Sequence, residues 1–288
     1  MKAPPAPGTT GPGPPPPRPR RAGHTLVAAV ACAALAFLCL PVVIVIPMSF
    51  SSARSLRFPP PGLSLRWYQE LLADPAWLPA MANSMLVALS SSALAVLLGV
   101  LAAYGLVRGR FAGRAPLEAT FMAPLVIPSV IVAVALYIAF AQVGLLGTYA
   151  GLIVAHTLHS APYVVLVMSV AIASFDERIE QMARSLGARE RTVLRRVVLP
   201  NVLPSILAAW ILAFIVSFDE VILTLFLFGN KHTIPKQMFV RLELQIDPTI
   251  TAIATMLIAF SVGALGAAIL LSPPLRGLLG LGRDRTAA

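Results

Sequence analysis

The sequence predicts an all-α polytopic membrane protein with six transmembrane helices. Of its 288 residues, 58% are hydrophobic and only 12% are charged, whereas soluble domains are about half apolar and a quarter charged. Six apolar runs are each long enough to cross a bilayer, which takes roughly 20 residues of helix. Buried core helices rarely produce six such runs in one chain, so we interpret all six as membrane spans.

The chain begins with a segment that has too little apolar surface to fold. Residues 1–24 are rich in proline and glycine and end in a basic cluster, a composition typical of disordered tails. The first apolar run, Thr25–Phe50, is longer than the hydrophobic region of a secretory signal peptide. Pro41 and Pro47 interrupt only its far end. We therefore expect a retained first helix behind a disordered tail.

Five further spans are predicted from the apolar runs at 81–107, 118–141, 149–173, 202–227 and 248–272. The transmembrane domain then covers 25–272, and residues 273–288 form a C-terminal tail. Prolines at positions 124, 128 and 162 lie inside these spans. Each is expected to kink its helix, because proline removes a backbone donor and clashes with the preceding turn.

Basic residues are distributed unevenly between the two sides of the predicted bundle. The two tails, together with 108–117 and 174–201, hold 16 of the 22 lysines and arginines. Connections 51–80, 142–148 and 228–247 on the other side hold the remaining 6. Lysine and arginine accumulate in loops that stay in the cytoplasm. Both termini and segment 174–201 are therefore predicted to be cytoplasmic. Such basic loops account for the net charge of +10, so we expect no nucleic-acid partner.

Segment 174–201 has the pattern of two short amphipathic helices joined at a glycine. Four apolar residues recur at helical spacing in the first helix: Ile179, Met182, Ala183 and Leu186. Gly187 interrupts this pattern and can supply a turn. A second short helix is predicted to follow and to end at Pro200, before the next span begins.

Two interpretations of this segment remain open from periodicity alone. In the first, the helix pair lies on the membrane and directs its arginines toward anionic lipid. In the second, it docks in a groove on a cytoplasmic partner, with Met182 and Leu186 as apolar contacts and arginines pairing acidic groups at the rim.

The segment resembles the cytoplasmic EAA loop of the permeases of binding-protein-dependent ABC importers. That pattern is Glu-Ala-Ala with a glycine six positions after the glutamate, then nine residues, an aliphatic residue, any residue and Leu-Pro. The matching residues are Gln181, Met182 and Ala183 at the first three positions, Gly187 at the glycine, Val197 at the aliphatic position, and Leu199 and Pro200 at the end. The resemblance implies that these residues, with Leu186, form the ATPase coupling loop, although glutamine and methionine replace the first two family residues.

The resemblance covers about 60–272 and is most similar to the spermidine/putrescine branch. Stretches that carry it include WYQELLADPAWLPAMANSMLVAL at 67–89 and SFDEVILTLFLFG at 217–229. It implies the type I ABC importer permease fold and a multi-pass location in a bacterial inner membrane. The expected solute is a polyamine such as spermidine or putrescine. Related permeases carry ferric iron, thiamine, opines or aminophosphonates, which are the alternatives.

The resemblance also implies the partners of such a permease. These are two copies of a cytoplasmic ATP-binding subunit, a second permease of different sequence, and a periplasmic or lipid-anchored substrate-binding protein. The chain has no G-x-x-x-x-G-K-[ST] phosphate-binding loop. We therefore expect a transport subunit that is not an enzyme and leaves ATP hydrolysis to a partner.

Asp219 and Glu220 are adjacent carboxylates inside the predicted span 202–227. Ionised carboxylates are costly inside a bilayer and usually face a water-filled cavity or a partner group. One interpretation is that they line the translocation path, where they attract a cation. The other is an interhelical hydrogen bond to a serine, threonine or arginine. Adjacent helical residues point about 100° apart, so the two carboxylates are not expected to share one role.

Other polar residues of the spans suggest structure more than chemistry. His156 and His159 lie one turn apart and favour a polar seam between helices over pH sensing or metal binding. Cys32 and Cys39 resemble apolar fillers. We expect no cofactor, no metal site and no catalytic residues. The chain has none of the motifs expected of an intramembrane enzyme. A stand-alone secondary transporter is the other alternative, but it would have no need for a docking loop.

Overall fold

The computed structural model describes residues 21–244 and 248–271. Within them the chain forms twelve α-helices and one π-helical turn. Their bounds are α1 (Arg21–Ser49), α2 (Arg66–Ala73), α3 (Trp77–Arg108), α4 (Arg114–Val126), α5 (Ser129–Gln142), α6 (Tyr149–Ser174), α7 (Glu177–Ser185), α8 (Glu190–Val193), α9 (Leu199–Phe218), α10 (Ile222–Leu227), α11 (Ile234–Leu244) and α12 (Thr249–Leu271). The π-helical turn, Leu194–Val198, joins α8 to α9.

The predicted membrane spans correspond to helices of this bundle. By length and hydropathy, α1, α3, α6 and the continuous stretch Glu190–Phe218 can each cross a bilayer, and α12 occupies the sixth predicted span with 23 residues. Helix α1 begins at Arg21, four residues before the predicted start of the first span. The rest of the N-terminal tail and the C-terminal tail 273–288 lie outside the described residues.

The third predicted span, 118–141, is two helices and not one. Helix α4 ends at Val126 and α5 begins at Ser129, and their axes differ by 108°. Ile127 and Pro128 between them have extended backbone, with ψ of 128° and 132°. A residue before proline is forced out of the helical region, and proline itself cannot donate a hydrogen bond. Pro128 therefore breaks this span, whereas Pro124 and Pro162 stay inside their helices.

The fifth predicted span, 202–227, also has a break. Helix α9 ends at Phe218, and the short helix α10 starts only at Ile222. The carboxylates Asp219 and Glu220 lie in this break. The prediction of one continuous helix across them is wrong, so the helical separation of about 100° does not apply to these two carboxylates.

The centre of the bundle is formed by α3, α6 and α9. One face of α3 is lined by small residues: Ala88, Ser91, Ser92, Ala95, Gly99 and Ala103, all buried. In a membrane, where lipid offers no hydrophobic drive for helix association, small residues let helices approach closely enough to gain van der Waals contact. At Gly99 a Cβ atom would lie 2.7 Å from Cγ1 of Val164 on α6. Helices α3 and α6 therefore pack without a gap.

Helices α3 and α6 run side by side in the same direction. Near their starts, the Tyr149 hydroxyl donates to Oδ1 of Asn83 at 2.8 Å. At their ends, Arg108 donates to the backbone carbonyls of Ile172 and Phe175. Helix α3 has 32 residues, about 48 Å of helix, so the bundle has two well-separated ends that can carry different contacts.

Short helices cover the end of the bundle where α3 begins. Helix α2 packs on α12, and α11 packs on α3. Asp74, just before α3, forms an ion pair with Arg241 of α11. Burial raises the pKa of Asp74, but hydrogen bonds from the Ala76 N–H and Arg241 offset it, so the pKa is lowered. The carboxylate stays ionised at neutral pH and fastens α11 to the rest of this end.

The packing of α3 on α6 gives a testable prediction. Gly99→Ala places a methyl group against Val164, and overpacking of this kind costs about 1–3 kcal/mol. We expect a lower midpoint for thermal unfolding in detergent. Gly105→Ala is the matched control, because a Cβ there meets no atom within 4 Å. Equal midpoints for the two variants would contradict the close packing.

Candidate functional site

Helix α7 is the first part of the predicted coupling loop. Asp176 caps its N-terminus by accepting a hydrogen bond from the Arg178 N–H at 2.9 Å. Capping of this type satisfies one of the free donors of the first turn. Glu177 and Glu180 also place acids in that turn, where the helix dipole favours negative charge. The predicted first helix of segment 174–201 is therefore present.

Gly187 ends α7, as the sequence predicts. Its φ is +85°, a left-handed conformation that glycine adopts without strain and that other residues avoid. The Gly187 and Ala188 N–H groups donate to the Arg184 and Ala183 carbonyls at 2.9 and 3.1 Å. These bonds satisfy carbonyls at the helix end, and the chain turns sharply toward α8.

The predicted second short helix is continuous with the fifth span, which corrects the prediction that it ends at Pro200. From Glu190 the helix runs through α8, the π-helical turn and α9 to Phe218. In the π-helical turn, the Leu199 N–H donates to the Leu194 carbonyl, five residues back. Proline is tolerated in the first turn of a helix, and Pro200 stands there in α9. Movement of α8 is therefore movement of the fifth span.

Two large apolar side chains, Met182 on α7 and Leu186 directly after it, point away from the protein. Met182 is 58% exposed and Leu186 is 89% exposed, and Gln181 and Gly187 are exposed as well. Ala183, in contrast, packs against the core. Of the other residues predicted for the coupling loop, Val197 and Leu199 are half-buried and Pro200 is exposed. An exposed apolar patch rimmed by polar residues is typical of an interaction site.

Glu180 fastens the opposite face of α7 to the bundle. Its side chain is fully buried. Oε1 accepts from Nε of Arg108 at 2.8 Å, and Oε2 accepts from the Tyr104 hydroxyl at 3.0 Å. Because Arg108 also donates to carbonyls at the end of α6, this anchor, formed by Tyr104, Arg108 and Glu180, joins α3, α6 and α7.

Arg184 extends the anchor to α8. Its Nε lies 2.7 Å from Oε1 of Glu190, and its Nη2 lies 3.5 Å from Oε2 of Glu180. The hydrogen bond to Glu190 is the main reason why the pKa of Arg184 is raised. The two arms of the glycine turn are thus linked by charge as well as by backbone.

Sequence reasoning missed the anchor. Glu180 was only a neighbour of the motif position, and Arg108 was only one basic residue among those of a cytoplasmic connection. The available signal was spacing: Glu180 and Ala183 share one face of α7, whereas Met182 and Leu186 share another. An amphipathic helix usually buries its apolar face, and here the face with the glutamate is the buried one.

The break between α9 and α10 separates the two membrane carboxylates. Asp219 is exposed, and its N–H closes α9 by donating to the Ile215 carbonyl. Glu220 is half-buried, and its Oε1 accepts at 3.0 Å from the Leu223 N–H in the first turn of α10. Oε2 of Glu220 lies 3.1 Å from Nε2 of His159 on α6. Glu220 therefore makes an interhelical contact, with histidine where serine, threonine or arginine was expected.

His156 lies one turn before His159 and belongs to a polar seam. Its Nδ1 is 2.9 Å from the Ser217 hydroxyl, and its Nε2 is 3.2 Å from the Thr224 hydroxyl. Ser217 in turn lies 2.7 Å from the Ser91 hydroxyl of α3. The seam joins α3, α6, α9 and α10 across the break, in agreement with the structural interpretation of the two histidines.

Comparison with known proteins places this geometry in a family. The family described as "Binding-protein-dependent transport system inner membrane component" matches residues 95–276. The spermidine/putrescine transport system permease PotC of Haemophilus influenzae is 30% identical over 228 residues, which cover 78% of this chain and 88% of that one. The putrescine transport system permease PotI of Escherichia coli K12 is 34% identical over 242 residues, covering 80% and 84%.

Solved structures support the fold independently. A bacterial ABC transporter that imports the acidic polysaccharide alginate matches 87% of this chain and 96% of its own with a TM-score of 0.69 at 17% identity. The same kind of transporter in complex with a pentasaccharide-bound periplasmic protein matches with a TM-score of 0.63. The predicted type I permease fold is confirmed. The chain belongs to the binding-protein-dependent inner membrane components, the multi-pass permease subunits of ABC importers.

Proposed function

We propose that this permease carries a polyamine such as spermidine or putrescine across the inner membrane. The relatives named above are permeases for these solutes, and they match about four-fifths of the chain. The pathway is shared with a second permease of different sequence. A periplasmic or lipid-anchored binding protein delivers the solute, and two copies of a cytoplasmic ATPase supply the energy.

The observation that carries the coupling role is the exposed pair Met182 and Leu186 on a helix whose other face is anchored. A helix presenting apolar side chains at i and i+4 is suited to a groove on a partner. Anchoring by Glu180 removes the freedom of α7 to move alone. A closing ATPase pair would then displace α7 together with the ends of α3 and α6.

We propose that the end of the bundle where α7 lies is cytoplasmic. The basic residues support this orientation, because positive charge concentrates in connections that remain inside. It places both termini in the cytoplasm and the beginnings of α3 and α6 on the outer side. The ATPase and the binding protein would therefore act on opposite ends of the same helices.

Asp219 is the residue that we propose faces the solute. It is exposed in this chain, and an exposed carboxylate in a membrane region needs water or a partner. Glu220 is committed to His159 and to the start of α10, so it positions the break. A water-filled path between two permeases would give Asp219 its solvent and bring it to an ammonium group.

The docking face can be tested by changing Met182 and Leu186 to aspartate together. We expect the ATPase to be lost when the variant is purified gently through a C-terminal tag, because two charges cannot enter an apolar groove. Leu63→Asp is the control, since Leu63 is 81% exposed but lies outside the loop. An unchanged ATPase yield, quantified by mass spectrometry, would contradict docking through α7.

The anchor can be tested by Glu180→Ala, which leaves Arg108 without its partner. Removing one member of a buried pair costs about 3–5 kcal/mol, so we expect a lower unfolding midpoint and ATP hydrolysis that no longer drives uptake. Glu180→Gln retains part of the hydrogen bonding and should fall between, which covers the case in which alanine prevents assembly. Glu177→Ala, an exposed acid on the same helix, is the control. Coupled uptake at wild-type rate in both Glu180 variants would refute the role of the anchor.

The path can be tested by Asp219→Asn in proteoliposomes with labelled putrescine. A charge-assisted hydrogen bond is worth roughly 1.5 kcal/mol or more, so we expect uptake to fall about tenfold while the complex assembles normally. Glu243→Gln removes an exposed acid elsewhere and should leave uptake unchanged. Wild-type putrescine uptake by Asp219→Asn would exclude Asp219 from the path.

A further inference from the structure

A pocket opens at the end of the bundle opposite the coupling loop. It has a volume of about 520 Å³ and lies where α3 and α6 begin and where the chain passes from α10 to α11. Its polar lining comes from six residues: Asn83, Tyr149, Asn230, Lys231, His232 and Gln237. In the proposed orientation this pocket faces outward.

The polar side chains of the pocket are held in place by one another. Asn83 donates through Nδ2 to the His232 carbonyl at 2.8 Å and accepts from the Tyr149 hydroxyl at 2.8 Å. The His232 ring is hydrogen-bonded to Gln237. These bonds join α3, α6 and the segment between α10 and α11, so the pocket is built before any ligand arrives.

Lys231 supplies a fixed positive charge at this pocket. Its Nζ donates to the Gly147 carbonyl at 2.6 Å and lies 5.0 and 5.4 Å from the ring centroids of Tyr149 and Phe228. Both rings are within the range of cation–π attraction. A lysine held in this way has lost much of the side-chain freedom that usually weakens surface charges.

A second cation stands behind the pocket wall. Lys236 is 4% exposed, and its Nζ donates to the Gly229 and Lys231 carbonyls. Burial lowers the pKa of Lys236 from its usual value of 10.5. None of the nine described residues that line the pocket is acidic. Asp74, two residues before the lining residue Ala76, is paired with Arg241. The lysine charge at the pocket is therefore not balanced by a lining acid, and the pocket favours an anion.

Two molecules are expected to reach the outer face, the solute and the substrate-binding protein. The charge of the pocket favours the second of them. A polyamine is a cation and would be repelled by Lys231, so the pocket is not a site for the proposed solute. We propose that the pocket receives a carboxylate side chain of the substrate-binding protein, paired with Lys231 at the docked interface. This proposal rests on the proposed function, because it needs an importer with such a partner.

The pocket is connected to the break in the membrane through the chain that follows α10. The Gly147 N–H donates to the Leu227 carbonyl at 2.9 Å, and the Gly147 carbonyl accepts from Lys231. Helix α10, which ends at Leu227, is the helix whose first turn donates to Glu220 through the Leu223 N–H. A carboxylate that draws Lys231 away from Gly147 would loosen this link, so docking bears on the segment that holds Asp219 and Glu220.

The test measures the affinity of the solute-loaded binding protein for the assembled transporter in nanodiscs. Lys231→Glu reverses the charge in the pocket, and we expect the dissociation constant to rise on the order of tenfold, with a weaker dependence on salt. Lys231→Gln should give a smaller rise. Arg57→Glu is the matched control, because Arg57 is exposed, lies on the same side in the proposed orientation, and is not part of the pocket lining.

The outcomes separate this inference from the proposed function. Binding weakened more by Lys231→Glu than by Arg57→Glu, in a transporter that still assembles with its ATPase in wild-type amount, supports the pocket. Binding equal to wild type in Lys231→Glu, or a loss equal to that of Arg57→Glu, overturns it while the importer remains. If the solute-loaded binding protein did not raise the ATPase activity of the wild-type transporter, the proposed function itself would be overturned.

Discussion

The buried ion pair between Arg108 and Glu180 is the contact on which the rest of the structure depends. Two charges removed from water are stable only when they are paired and their remaining donors and acceptors are satisfied. Here Tyr104 and Arg184 also contact the Glu180 carboxylate. Nη2 of Arg108 donates to backbone carbonyls at the end of α6. The pair therefore fixes the end of α3, the end of α6 and α7 as one unit.

This unit of α3, α6 and α7 determines which parts of the bundle can move together. Helices α3 and α6 pack closely through small residues, and we propose that they therefore transmit a displacement along their length. The breaks at Pro128 and at Asp219–Val221 are where the bundle departs from continuous helix. A partner at either end can shift the conformational equilibrium only by binding one state better than another. The exposed face of α7 and the pocket at Lys231 are the surfaces that we propose perform this task.

Much of the fold could be predicted because it follows from local properties of the sequence. Hydropathy located the spans, and Gly187 located the turn of the predicted coupling loop by its freedom to adopt positive φ. The break at Asp219 was not predictable from apolar composition, since apolar residues continue on both sides of the Asp219–Glu220 pair. The continuity of α8 with α9 was hidden because Pro200 suggests an end, and the π-helical turn that precedes it has no sequence signal.

The sequence predicted the exposed apolar residues Met182 and Leu186 of the candidate site, because they recur at helical spacing. It did not predict the contacts of the buried face of α7. The partners Arg108 and Glu180 are 72 residues apart, and only the packing of three helices brings them together. The same applies to Glu220 and His159, which lie on separate elements, and to Lys231 and Gly147, so contacts between distant segments carry most of what the sequence left open.

The most direct test of the central claim is a distance measurement on the assembled transporter. Spin labels at Ser185 on α7 and Leu89 on α3, with Cys32 and Cys39 replaced by serine, report whether the two helices move together; Leu89 lies about 29 Å along α3 from Arg108. If the anchor makes them one unit, the distance distribution stays the same without nucleotide and with trapped ATP, and it changes in Glu180→Ala. A shift between the two states in the otherwise unmodified transporter would contradict the account.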